Sequence, residues 1–357
     1  MNPLFWERKR VLVTGHTGFK GGWLSLWLHR LGAEVHGYSL APPTTPSFFD
    51  VLSLETSIND SRGDVRNREQ VSQTFARAQP EVIFHLAAQP LVRRSYADPV
   101  ETYGTNVMGT VHVLDAARQT PSVRVVVVVT TDKCYENKEW AWGYREIDRL
   151  GGRDPYSNSK ACAELVTSAY IRSFFANSHA AVATARAGNV IGGGDWAHER
   201  LLPDIVGAFN EGRPIRLRNP GATRPWQHVL DPLSGYLQLA ERMWDGGSGR
   251  DDDGDGWNFG PPDSGARSVA GVVEVAARLW GGGACWESDP GDHVHEAQLL
   301  KLDCTKAHTL LNWHPRLDLE TALSWTVDWY RCYYSGGDVR SLTLRQLDRY
   351  LPLRPIE

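Results

Sequence analysis

The sequence predicts an α/β protein: a doubly wound parallel sheet joined to a smaller, mixed α/β unit. Three observations lead there. Short runs of β-branched residues alternate with amphipathic helical patterns through the first half of the chain. Those runs are apolar on both faces, as strands covered by helices on each side must be. A glycine-spaced turn stands between the first run and the first helical pattern.

Each element has its own signal. "KRVLVTG" is a β-branched strand ending in glycine, and "GGWLSLWLHRLG" has apolar residues at helical spacing with Gly32 as its stop. "AEVHGYSL" reads as the second strand, "REQVSQTFARAQ" as a helix and "PEVIFHLAA" as a strand. "TYGTNVMGTVHVLDAARQ" is the next helix and "VRVVVVVTT" the next strand. Beyond about residue 180 the alternation loosens. "AVATARAGNVIG" is strand-like, "LLPDIVGAFNEG" and "SVAGVVEVAARLWG" are helical, and "LDLETALSWTVDWYRCYY" is a long helix, with Gly- and Pro-rich connections between them. This divides the chain into a dinucleotide-binding domain over 1–182, receiving segments from about 225–260, and an interleaved smaller domain over 183–357 that binds substrate.

Composition removes several classes of function. The 357 residues suit one large or two interleaved domains, and 41% hydrophobic with 22% charged residues is ordinary for a folded globular chain. A net charge of −4 offers no basic field for nucleic acid. No apolar run reaches the roughly 18 to 20 residues of a membrane span, and the N-terminus lacks a signal-peptide pattern, so a cytoplasmic location is expected. Five scattered cysteines without a CxxC pair suggest neither a disulfide framework nor a zinc site, and no metal is expected. Asp251, Asp253, Asp255 and Gly256 imitate the first half of a calcium loop, but its twelfth position is Pro262, which supplies no carboxylate.

Gly15, Gly18 and Gly21 in "VTGHTGFKGGWL" form GxxGxxG at the first strand–turn–helix junction. Glycines let a backbone approach a pyrophosphate, and the helix offers N–H groups and its positive dipole end. A free ribose 2′-hydroxyl calls for an acidic residue at the end of the second strand, where this chain has Ser39. Lys20 would favour an extra phosphate, so the choice between NAD and NADP stays open. Asp64 in "GDVRN" is placed at the adenine edge.

The fifth strand ends on Thr130, Thr131, Asp132 and Lys133, at the carboxyl edge where such sheets bind ligands. Downstream, Tyr156 and Lys160 stand four apart at the start of a helical pattern and share a face. A phenol titrates near 10, too high for a base at neutral pH. A nearby ammonium and a cationic nicotinamide favour the phenolate. As a surface ion pair, Asp132 and Lys133 would be worth little; as an acid and a base, they do something that hydride transfer alone does not need.

GxxGxxG, "HLAAQ", "TTD", YxxxK and "ARAGNVIGGGD", in this order, resemble the extended short-chain dehydrogenase/reductases, the nucleotide-sugar epimerases and dehydratases. The resemblance runs from about Arg10 to Trp313 and implies a Rossmann-like fold. "HTGFKGGWL" with "DKCYENKEW" is most similar to members that dehydrate CDP-glucose, and dTDP-sugar relatives usually have Asp-Glu where this chain has Asp132-Lys133. The resemblance implies tightly bound NAD touching Gly15, Thr17, Gly18, Phe19, Lys20, Gly21 and Ser39, then Asp64, Val65, Leu86, Ala87, Ala88 and Gln89, then Asn106, Thr130, Tyr156 and Lys160. It also implies a hydro-lyase reaction: oxidation at C4, elimination across C5 and C6, and hydride return to C6. Tyr156 and Lys160 would act at O4 with Thr131, while Asp132 and Lys133 would serve as the acid and base of the elimination. Arg93, Ser95, Tyr96, Asn189, Arg224 and His228 would meet the nucleotide-diphosphate sugar. Pro225 stands where many relatives have Asp. A homodimer through a four-helix bundle is expected from the helix at 102–119 and that at 156–173. An epimerase or reductase, a dTDP- or GDP-sugar dehydratase and a non-catalytic dinucleotide sensor are the alternatives; a sensor has no need of Tyr156 and Lys160 together.

Overall fold

The computed structural model describes residues 1–198, 200–246, 256–262, 265–289, 291 and 299–356. Asp251, Asp253 and Asp255 of the calcium-like stretch lie outside the described residues. The strands are β1 (Arg10–Thr14), β2 (Glu34–Ser39), β3 (Asn59–Arg62), β4 (Val82–His85), β5 (Val125–Val129), β6 (Ala181–Ala187), β7 (Asn189–Ile191), β8 (Ile215–Leu217), β9 (Thr223–His228), β10 (Gly256–Phe259), β11 (Ala266–Ser268) and β12 (Trp286–Ser288). Seven of them form one sheet in the order β10-β6-β5-β4-β1-β2-β3. Every neighbouring pair is parallel, with Val11 opposite both Val35 and Val82.

Alternation along the strands sorts the core into two layers. Val125, Val127 and Val129 join the cluster that holds Trp23 and Trp27 of α1 (Phe19–Arg30), whereas Val126 and Val128 join the one beneath other helices. The chain next forms α2 (Phe48–Val51), α3 (Arg68–Ala78), α4 (Val92–Ala97), α5 (Pro99–Tyr103), α6 (Gly109–Arg118) and α7 (Pro155–Tyr170). Val71 and Phe75 of α3 and Val113 and Leu114 of α6 fill the second layer. The run "VVVVV" is buried at every position, which is why it reads as apolar rather than alternating.

The later half adds α8 (Leu201–Asn210), α9 (Leu230–Gly246), α10 (Val269–Trp280), α11 (Thr305–Leu311), α12 (Leu319–Tyr334) and α13 (Val339–Tyr350). The stretch "AVATARAGNVIG" is two strands rather than one. It breaks at Gly188, sending β6 into the large sheet and β7 into a three-stranded sheet of order β11-β9-β7. A Cβ at Gly188 would lie 2.8 Å from Asp132 Oδ2, so a side chain there would displace that carboxylate. β8 and β12 make a third, two-stranded sheet. β10 returns to the large sheet beside β6.

The C-terminal helices are fastened to α9 by a buried polar knot. Asp231 Oδ1 accepts from Tyr350 Oη at 2.8 Å and from the Arg316 amide at 2.8 Å, and Trp313 Nε1 donates to Ser234 Oγ at 2.9 Å. Asp231 Oδ2 has no partner, and burial pushes the carboxyl up to about 7. An unfolded aspartate ionises near 4, so between roughly pH 4 and 7 the folded chain binds the extra proton. The stability from this group is complete below that window and is lost as pH rises through about 7. Asp231→Asn keeps an acceptor for Arg316 and Tyr350. It is expected to gain on the wild type in urea unfolding free energy between pH 5 and pH 8. A difference that stays flat over that range would contradict this.

Candidate active site

The strand order reverses between β1 and β4, and a cavity of about 1980 Å³ opens at the carboxyl ends of the strands there. Gly15 leaves β1 with φ +78°, and a Cβ on it would sit 2.7 Å from the Ala87 amide nitrogen beyond β4. At Gly21 a Cβ would fall 2.1 Å from the Gly15 carbonyl oxygen. Both glycines are therefore fixed by close backbone approach. Gly18 is the N-cap of α1 and no side chain caps the helix, the arrangement that receives a phosphate. The residues present fit a dinucleotide pyrophosphate.

Around this turn, Thr17, Phe19, Ser39, Asp64, Val65, Leu86, Ala87, Ala88 and Gln89 all line the cavity. Thr17 Oγ1 and Ser39 Oγ share a hydrogen bond of 2.8 Å, so two short hydroxyls close the end of β2. Arg66 clamps Asp64 through Nε at 2.8 Å and its amide at 2.9 Å, and that guanidinium holds the carboxyl below the usual range. Asn106 stands outside the lining. Its amide nitrogen donates to the Gln89 carbonyl and to Ser159, and its oxygen accepts from the Gln89 amide at 2.8 Å, so it braces the β4 loop from behind.

Lys20 departs from the sequence expectation of an added phosphate. Its side chain is half-buried, with Nζ 6.0 Å from the Tyr236 ring centroid, and its charge is felt by Asp132. Burial first, then the like charges of Arg200 and Lys160, bring it down to about 7. The glycine turn thus sends a cation inward, toward the polar cluster beyond β5.

That cluster comes from two pieces of chain. α7 begins at Pro155, with Asp154 capping it by accepting from the Ser157 amide at 2.9 Å and from Ser157 Oγ at 2.6 Å. Its first two turns bring Tyr156 and Lys160 to the cavity. Lys160 Nζ donates to the Val129 carbonyl at 3.1 Å. Beyond β5, Thr131 Oγ1 donates to Asp132 Oδ1 at 3.0 Å, and Asp132, 3% exposed, and Lys133 also line the cavity. Burial raises the Asp132 carboxyl, while Lys133, Thr131, Arg224 and Lys20 oppose the rise. A carboxyl so placed is suited to hold a proton and give it up.

The phenol behaves otherwise than the sequence suggests. Burial pushes Tyr156 up to about 12, and a hydrogen bond with Thr131 and the Arg200 charge pull against it. Burial is the largest influence at the phenol, and the nearby Lys160 ammonium also donates to a main-chain carbonyl. The same burial brings Lys160 down to about 8, against the pull of Glu164.

Of the expected substrate contacts, Arg93, Tyr96, Asn189 and Arg224 line the cavity. Ser95 and His228 do not. Ser95 is buried, and its hydroxyl donates to the Val92 carbonyl and accepts from the Tyr156 amide at 3.1 Å, so it supports α7. His228 lies between the Trp23 and Trp325 rings, where β9 has already run beneath the core helices. Burial brings its imidazole down to about 3 and keeps it neutral. Thr130 lines the cavity but gives its hydroxyl to Glu164. Glu164 went unnoticed in the sequence, although its place four residues after Lys160 puts it on the same helix face. Among the described residues no group of three His, Cys, Asp or Glu side chains is arranged to hold a metal. No helix there is long and apolar enough to cross a membrane.

Comparison with known proteins places this geometry. The family described as GDP-mannose 4,6 dehydratase matches residues 12–245. CDP-glucose 4,6-dehydratase of Salmonella typhimurium is 50% identical over 352 residues, covering 97% of each chain. Among solved structures, UDP-glucose 4-epimerase of Thermotoga maritima with UDP-glucose superposes with a TM-score of 0.79 at 21% identity, over 90% of this chain and 99% of that one. The structure titled MoeE5 in complex with UDP-glucose and NAD superposes with a TM-score of 0.75 at 25% identity, over 90% and 99%.

Proposed function

The chain belongs to the family described as GDP-mannose 4,6 dehydratase, and on that premise we propose that it is an NAD-dependent hydro-lyase converting CDP-glucose to CDP-4-keto-6-deoxyglucose and water. The observation that carries this reading is the half-identity to a CDP-glucose 4,6-dehydratase along nearly the whole chain. Two features support it. Asp132 and Lys133 share one cavity with Tyr156 and Lys160, and a solved relative at 25% identity holds NAD beside a nucleotide sugar. Bound at the glycine turn, NAD supplies the acceptor for the C4 hydride, a cationic ring that favours a phenolate, and the donor that returns the hydride to C6.

The chain's own residues do the proton work. Tyr156 takes the proton from O4, and Thr131, already hydrogen-bonded into the group, orients that oxygen. Lys160 supplies the positive charge that favours the phenolate. A ketone at C4 acidifies the hydrogen on C5, which Lys133 removes as base; C5 takes a proton again when hydride returns to C6. Asp132, its carboxyl raised by burial, donates to the departing C6 hydroxyl. Arg93, Tyr96, Asn189 and Arg224 surround the remainder of the substrate, with the planar fork of Arg224 suited to the diphosphate.

The reading extends to assembly and location. Large apolar side chains stand exposed on the helical surface at Met108 (47%), Leu165 (60%) and Phe174 (50%). Covering them by a second copy through the helical run at 99–118 and α7 gives a homodimer. No disulfide joins any of the five cysteines, as suits a reducing cytoplasm.

Two outcomes are expected. Lys133→Met should lower kcat for CDP-glucose by about 10²- to 10⁴-fold, followed by mass spectrometry of the product. Full activity would remove Lys133 from the elimination. Leu165→Glu combined with Phe174→Glu should sediment as a monomer in analytical ultracentrifugation, and an unchanged dimer would reject this face.

A further inference from the structure

Glu164 lies one turn beyond Lys160 on α7, as Lys160 lies one turn beyond Tyr156. It is 3% exposed and outside the cavity lining, yet it is tied to both pieces of chain that build the site. Its Oε1 accepts from the Thr130 hydroxyl at the exit of β5. Its Oε2 accepts from Thr184 Oγ1 at 2.6 Å and from Arg186 Nη2 at 2.7 Å, both on β6. Arg186 Nη1 passes the connection on to Tyr135 Oη at 2.7 Å, and that hydroxyl donates to Asn258 Oδ1 at 2.8 Å. Thr130 and Tyr135 bracket the segment holding Thr131, Asp132 and Lys133.

A buried ion pair is a poor source of net stability, because taking both charges out of water costs about as much as their attraction returns. Placement beside a lysine at the proposed chemistry gives this one another use. The titratable and charged groups facing Lys160 are Glu164 on its own helix, Cys134 beyond β5, His85 on β4 and Lys20 on α1. Burial drives the Cys134 thiol well up and brings His85 down to about 3, so both are neutral near pH 7. Lys20 is a like charge. Among these groups Glu164 is the anion.

We propose that Glu164 is a positioning residue: fixed by Thr130, Thr184 and Arg186, its carboxylate keeps the Lys160 ammonium charged and holds the Tyr156 turn of α7 in register with the Asp132–Lys133 segment. The proposal rests on the roles given above to Tyr156 and Lys160. Burial alone lowers Lys160, and Glu164 works against that fall.

The chain has seven lysines, few enough for ¹³C labelling at lysine Cε, with Lys160→Met assigning the resonance. The wild-type Lys160 midpoint is expected at about 8. Glu164→Gln keeps the size and should lower that midpoint by about one pH unit. The alkaline limb of kcat should move the same way, with KM changed less than about twofold. Glu164→Asp keeps the charge and should stay within about 0.3 unit of the wild type. A folded Glu164→Gln protein with an unmoved midpoint overturns the proposal, as does an Asp variant that shifts as far as Gln. Should the lone charge on Arg186 prevent Glu164→Gln from folding, Glu164→Gln with Arg186→Met removes both charges and should show the same downward shift. An unmoved midpoint there also overturns it. The titration needs no turnover, so a wild-type protein inactive on CDP-glucose would sink the assigned reaction while the resonance still judged Glu164.

Discussion

Withdrawal from water governs this site. Tyr156, Lys160, Asp132 and Lys20 all stand where the parallel sheet ends, the first three buried and Lys20 half-buried, and for each of them burial is the largest influence on its proton. In bulk water a phenol, two amines and a carboxyl would titrate apart, near 10, 10 and 4. Out of water the amines fall and the carboxyl rises, so these three are drawn toward the range where protons can be exchanged near neutral pH, while the phenol is pushed further from it. The fold achieves this by bringing polar residues to the ends of strands that are buried along their whole length.

Charge in such a place must be answered. Arg186 and Glu164 answer each other, with Thr130 and Thr184 donating to the carboxylate and Tyr135 accepting from the guanidinium. Asp132 is answered by Lys133, Arg224 and Lys20 in concert. The likeness to an epimerase at a TM-score of 0.79 shows how little of this depends on the scaffold as a whole. On the function proposed above, what distinguishes the chemistry is the few residues at the exit of β5, where Asp132 and Lys133 adjoin Thr131.

Much of this was legible in the sequence, and what was not has physical causes. The glycine spacing and the four-residue step from Tyr156 to Lys160 are local patterns whose geometry follows from a turn and a helix, and both lie at the cavity. Gly188 was hidden inside an apparent strand, since the Asp132 carboxylate packed against it comes from more than fifty residues away along the chain. Ser95 and Asn106 read as ligand contacts because they are polar and follow β4; they turn instead toward α7 and the β4 loop. His228 was expected at the substrate from the resemblance alone; β9 passes under Trp23 and Trp325 before reaching it. The inward course of Lys20 could not be read from a turn that equally well serves a phosphate.

The central claim is that one sugar is oxidised, dehydrated and reduced without leaving the site. Its most direct test is CDP-glucose carrying deuterium at C4 and ¹³C at every glucose carbon, mixed with unlabelled substrate and followed by NMR and mass spectrometry of the product. The account predicts that deuterium reappears at C6 of the same molecules that carried it, with solvent hydrogen at C5. Deuterium retained at C4, or scattered to unlabelled molecules or to solvent, would contradict it.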